Sequence, residues 1–181
     1  MAFRLESRGQ WPRCPTTIPR LSLCATLVAA SVIAVSASSA QQAPSLVGTW
    51  ILTGADKQLA DGTVLPDYGP KPHGQVIFTS DGYYSVQIYR AERMKFASSD
   101  KSKGTPEEYR EATLGMSDHF GRYSVDLVNH TITFHIDRSS YPNIDDTSPV
   151  RPYELKGDVL SWRVEARPDG SVPITTMRRA K

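Results

Sequence analysis

Beyond residue 40 this sequence has no cysteine: its two, Cys14 and Cys24, both fall within the first forty residues. A mature chain without thiols excludes a disulfide scaffold, a thiolate zinc site and a cysteine nucleophile. Histidine is scarce as well. His73, His119, His130 and His135 are the only four, and no H-x-H, no H-E-x-x-H and no carboxylate-rich loop surrounds them, so no metal site is expected. The G-x-S-x-G elbow, the phosphate-cradling glycine loop and the dinucleotide fingerprint are missing too, which argues against covalent hydrolysis and nucleotide chemistry. No cofactor is expected on these grounds.

An excess of one charge is also lacking. Four of the 21 basic residues (Arg4, Arg8, Arg13, Arg20) and one of the 19 acidic residues (Glu6) lie in the first forty, leaving 17 basic and 18 acidic residues beyond them. A chain this close to neutral has no electrostatic footprint for nucleic acid. Nor is there a long hydrophobic run. The longest, Leu21 to Val35, is shorter than the about 20 residues of a membrane span.

That run has another meaning. It follows an arginine-bearing segment and ends in Ser36-Ala37-Ser38-Ser39-Ala40, the layout of a secretory signal with small residues at its cleavage site. Cleavage is expected after Ala40, with Ala37 as the alternative. An uncleaved anchor is the competing reading. The expected organisation is a signal peptide over 1–40 and one domain over 41–181, secreted or periplasmic, with no stable membrane span once the signal is gone. Aromatic residues at 9% and charged residues at 22% are ordinary for a folded globular chain.

From Ser45 onward the chain breaks into short segments rich in Val, Ile, Thr, Tyr and Trp, separated by Asp61-Gly62, Ser80-Asp81-Gly82, Gly157-Asp158 and Pro168-Asp169-Gly170. Asp-Gly pairs supply the positive φ angles of tight hairpin turns. The spacing predicts strands over 46–53, 63–66, 74–79, 83–90, 120–127, 131–137, 150–156, 159–167 and 172–178. Such regular spacing without helical alternation points to an all-β antiparallel barrel or sandwich. About eight strands is the number at which a closed barrel leaves room for one small ligand. One helix is expected over 106–116, where Thr105-Pro106-Glu107-Glu108 supplies an N-cap, an N1 proline and first-turn acids.

Leu46-Val47-Gly48-Thr49-Trp50 carries a Gly-x-Trp motif on the first strand. After it come Gly74-Gln75-Val76-Ile77-Phe78-Thr79-Ser80-Asp81-Gly82-Tyr83-Tyr84-Ser85, Arg93 and Phe120-Gly121-Arg122-Tyr123-Ser124-Val125-Asp126. Thr133-Phe134-His135, Pro142-Asn143, Arg151 and Gly157-Asp158-Val159-Leu160 complete the series. In this order the motifs resemble the bacterial and fungal lipocalin-like domain family across most of residues 45–165. The departures are the signal segment and a longer loop at 97–118. The resemblance implies a single lipocalin-like barrel of the calycin type with a cavity, and names no substrate. It also implies structural roles for Gly48 and Trp50, with Trp50 closing one end of the barrel under an arginine of the last strand, assigned here to Arg178.

The candidate ligand-binding residues are Phe78, Tyr84, Tyr123, His135, Asn143, Arg151 and Trp162. Tyr84 with Val86 and Ile88, and Trp162 with Leu160 and Val164, share strand faces by the period-two rule. Tyrosine and tryptophan offer apolar area with one hydrogen-bond handle, which suits an amphipathic ligand; a filled core is the competing reading. Asn143 and Arg151 flank a turn-rich 138–151 loop and offer an anchor for a carboxylate or carbonyl. His135 has Asp137 two residues on, a carboxylate that could orient its imidazole for proton transfer. Yet Ile132, Phe134 and Ile136 form the apolar alternate face, which turns His135 to solvent unless a bulge intervenes. Two functions follow. One is a carrier of a small hydrophobic or amphipathic molecule. The other is a cofactor-free isomerase or cyclase, with His135 or His119 as acid–base group and Tyr123 or Tyr84 as hydrogen-bond donor.

Overall fold

The computed structural model describes residues 45–181; the expected signal segment and the tether at 41–44 lie outside the described residues. Nine strands form: β1 (Gly48–Gln58), β2 (Val64–Pro66), β3 (His73–Phe78), β4 (Tyr83–Tyr89), β5 (Met116–Asp126), β6 (Thr131–Ser139), β7 (Val150–Lys156), β8 (Val159–Arg163) and β9 (Val172–Arg179). All pair antiparallel in the order β1-β3-β4-β5-β6-β7-β8-β9, and β9 returns to β1. Eight strands therefore close a barrel, with β2 a short spur on the far half of β1. The expected all-β barrel with one short helix is the fold found.

Alternation fills the interior. Tyr84, Val86 and Ile88 of β4, Ile132, Phe134 and Ile136 of β6, and Leu160 and Trp162 of β8 point inward and are buried. Two bulges shift this rhythm. In β1, pairing with β9 skips Thr53 between Leu52 and Gly54, so inward positions pass from Trp50 and Leu52 to Ala55. In β6, Asp137 is left over between Ile136, opposite Gly121, and Arg138, opposite Phe120. The extra residue turns Arg138 out and Ser139 in. Gly121 permits it: a Cβ there would lie 2.0 Å from the carbonyl oxygen of His135.

The one α-helix among the described residues, α1 (Pro106–Leu114), starts on a reciprocal cap, with Glu108 N–H donating to Thr105 Oγ1 at 3.2 Å and Thr105 N–H donating to Glu108 Oε2 at 2.7 Å. It ends two residues before the expected 116, at the Gly115 cap. The chain is then free to start β5 at Met116, four residues earlier than expected, because β4 runs to Tyr89 and Met116 pairs with it.

The base of the barrel lies under Trp50. Its indole nitrogen donates to the Leu46 carbonyl at 2.8 Å, and a guanidinium lies 4.1 Å from the ring centroid, in cation–π range. That group belongs to Arg179, which corrects the assignment to Arg178. Strand alternation decides between the two neighbours: Met177 is inward, so Arg179 two residues on shares its side and Arg178 is exposed. Arg179 also donates to the carbonyls of Val47 at 2.8 Å and Ser45 at 2.7 Å. Gly48, at φ +130°, leaves the room; a Cβ there would stand 3.0 Å from Arg179 Nη1.

Candidate functional site

Opposite this base the barrel is hollow. A cavity of about 860 Å³ opens between the Asp67–Tyr68 turn, the 139–151 segment and the 164–168 turn. Its walls mix Val86, Ile88, Ile144, Val164 and Ile174 with Tyr68, His119, Ser139, Arg151 and Thr175. The volume falls in the range of small-molecule sites. Trp50 and its neighbours in the first half of β1 take no part; Ala55 and Asp56, past the bulge, do.

The opening follows from the strand pairing. β6 and β7 share only three rungs, Thr131↔Pro152, Ile132↔Arg151 and Thr133↔Val150. Beyond them the β6 amides of Phe134 and Ile136 reach the carbonyls of Pro149 and Thr147 in the loop. The wall there is loop rather than strand. At the rim, Asp67 accepts from Arg167 Nη2 at 2.6 Å and lies 3.6 Å from Lys57 Nζ, tying the turn after β8 to the turn after β2. Asp56 nearby has its carboxyl pushed up, first by burial and then by the charge of Asp67.

The inner wall holds three polar side chains in a row. His119 of β5 is 4% exposed, and its Nδ1 stands 2.8 Å from Tyr84 Oη. Its Nε2 lies 3.5 Å from Arg151 Nη1. Arg151, the second residue of β7, alternates inward with Tyr153, and its guanidinium lies 4.9 Å from the Phe134 ring centroid. Phe134 also packs edge-on against Tyr84, His119 and Trp162. Burial, with the arginine charge adding to it, lowers the imidazole to about 3. Burial raises the Tyr84 phenol and lowers the Arg151 guanidinium to about 10. Near neutral pH the row is therefore a neutral phenol, a neutral imidazole and one cation. Such an imidazole is a weak base and no acid at that pH.

The structure separates the sequence-derived candidates. Arg151 lines the cavity; Tyr84 reaches it through His119, and Trp162 lies behind Phe134. Phe78 and Tyr123 pack on each other with ring centroids 4.8 Å apart, and Tyr123 Oη donates to the Thr79 carbonyl at 2.9 Å, away from the cavity lining. Asn143 is exposed and donates to Tyr141 Oη at 3.0 Å. His135 faces solvent between Ser148 and Ser124, with Nδ1 3.0 Å from Ser148 Oγ. The bulge falls two residues past it, too late to turn it inward. His119 takes the interior position instead. It lay just before the expected start of β5, and the inward alternation His119, Gly121, Tyr123, Val125 was its signal.

Among the described residues there is no group of three or more His, Cys, Asp and Glu side chains placed to hold a metal ion. Likewise no helix among them is long and apolar enough to cross a membrane.

Closed strand order, plugged base and open cavity together define a small calycin-type barrel. A family model described as a lipocalin-like domain matches residues 47–179, and the chain belongs to that family. No curated protein and no solved structure matches it.

Proposed function

We propose that this barrel is an exported carrier for one small amphipathic molecule, taken up through the mouth between the 139–151 and 164–168 segments. The observation that supports it is the cavity itself: about 860 Å³, apolar on several walls, with buried polar groups on its inner side. That mixture suits a ligand with an apolar body and one polar end. A holding role also agrees with the site chemistry. Burial keeps His119 neutral near neutral pH, and His135 stands outside the barrel, so neither histidine proposed as an acid–base group is placed to serve as one. Export rests on the segment 1–40, with its basic start, apolar run and small-residue end.

Native mass spectrometry of protein purified from its own host tests the carrier reading. The expected spectrum shows a bound small molecule that is released on denaturation. A bare protein mass, together with no thermal shift across a panel of amphiphiles, refutes the reading. The N-terminus of the purified protein tests export: Gln41 is expected, or Ser38 for the alternative cleavage, and an intact Met1 in the cytoplasmic fraction refutes it.

A further inference from the structure

Arg151 is a buried cation without an anion. It is 8% exposed, forms part of the inner cavity wall, and its Nε has no hydrogen-bond partner. Among the described residues no carboxylate pairs with it; the neighbouring groups are Phe134, His119 and the un-ionised Tyr84. A lone charge held out of water is strongly unfavourable unless something else uses it.

The hydrogen-bond direction points the same way. A guanidinium only donates. His119 Nε2 is therefore the acceptor facing Arg151, and the ring proton sits on Nδ1, donated to Tyr84 Oη across 2.8 Å. Arg151, a residue of the cavity wall, is left with donors to spare.

We propose that Arg151 is a head-group site: the ligand of this barrel carries an anionic group, a carboxylate or a phosphate monoester, bound by the Arg151 fork. Its apolar body then extends along Val86, Ile88 and Val164 towards the mouth. The fork geometry of arginine matches both anions, and such charge-assisted pairs are the strong ones. The inference rests on the carrier reading and adds the chemical class of the molecule carried.

Four amphiphiles with the same twelve-carbon chain test it by titration calorimetry near neutral pH: dodecanoate, dodecyl phosphate, dodecanol and dodecylamine. The wild-type protein is expected to bind at least one of the anions about tenfold or more tighter than dodecanol, and dodecylamine more weakly still. The anion that leads identifies the head group. Arg151→Gln is expected to bring the anions down to the level of dodecanol while changing dodecanol itself by less than about threefold. Arg151→Lys, which keeps the charge and loses the fork, falls between. If Arg151→Gln does not fold, the wild-type comparison still decides. Dodecanol binding as tightly as both anions, or a preference that survives Arg151→Gln, overturns the head-group site and leaves the carrier standing. Binding of none of the four overturns both.

Discussion

His119 makes stability depend on pH in a window that few other groups touch. In the native barrel its imidazole is held at about 3, whereas in the unfolded chain it titrates near about 6.5. Between those values the unfolded state binds a proton that the native state refuses. The contribution is therefore complete above the unfolded value and is lost as pH falls below it. The slope is at most about 1.4 kcal/mol per pH unit, and since the unfolded imidazole is already half protonated at about pH 6.5, the loss between pH 6.5 and 5 is about 1.6 kcal/mol. Carboxylates of the unfolded chain titrate mainly below this interval, near about pH 4. Urea unfolding followed by tryptophan fluorescence at several pH values, for the wild type and for His119→Gln, isolates the effect, since contributions from the other histidines appear in both curves. The variant is expected to start lower by about 1–3 kcal/mol, having lost the partner of Tyr84, and the gap between the two proteins should close by about 1.6 kcal/mol from pH 6.5 to 5. A gap that stays constant refutes the neutral, enclosed imidazole and with it the proton order along Tyr84, His119 and Arg151.

Other substitutions probe the remaining features. Replacing the unpaired cation, Arg151→Met should raise the stability of the empty barrel by about 1–2 kcal/mol in urea unfolding; destabilisation would show that the charge is compensated. At the base, Arg179→Ala should cost about 1–3 kcal/mol through two carbonyl contacts and the stacking on Trp50, while Arg178→Ala stays within about 0.5 kcal/mol. Equal effects in thermal melts would remove the clamp. Gly121→Ala drives a methyl into the His135 carbonyl and should cost about 3 kcal/mol or more, or yield no soluble barrel in an expression assay. Finally, His135→Ala should leave both unfolding and amphiphile binding unchanged within about 0.5 kcal/mol, as fits an exposed side chain.

The strand series was readable because each segment carries its own alternation and its own turn. Tyr84, Val86 and Ile88 declare their inward face without help from the rest of the fold. Phase across a bulge is another matter. At Thr53 the even positions of β1 give way to odd ones, so the alternation breaks off where the strand only changes step and runs on to Gln58. At Asp137 the same shift hides the inward turn of Ser139. The two arginines after Met177 could have been told apart by counting from an inward neighbour, since Thr175, Met177 and Arg179 lie on one face. The site was harder to read. Nothing local says that His119, Tyr84 and Arg151, from three strands, meet around Phe134. That meeting is a property of the closed barrel, set by the register of β4 with β5 and of β6 with β7.

The seam between the first and last strands has a consequence in time. β1 and β9 pair from Trp50↔Arg179 to Gln58↔Val172, so the contacts that close the barrel join residues more than a hundred positions apart. A topology dominated by such distant pairings folds slowly. Until β9 has been synthesised, the hollow has no eighth wall, the tryptophan at its base has no arginine over it, and the cavity cannot hold its cargo. Filling the cavity must therefore follow completion of β9, and until then the growing barrel stays open and empty.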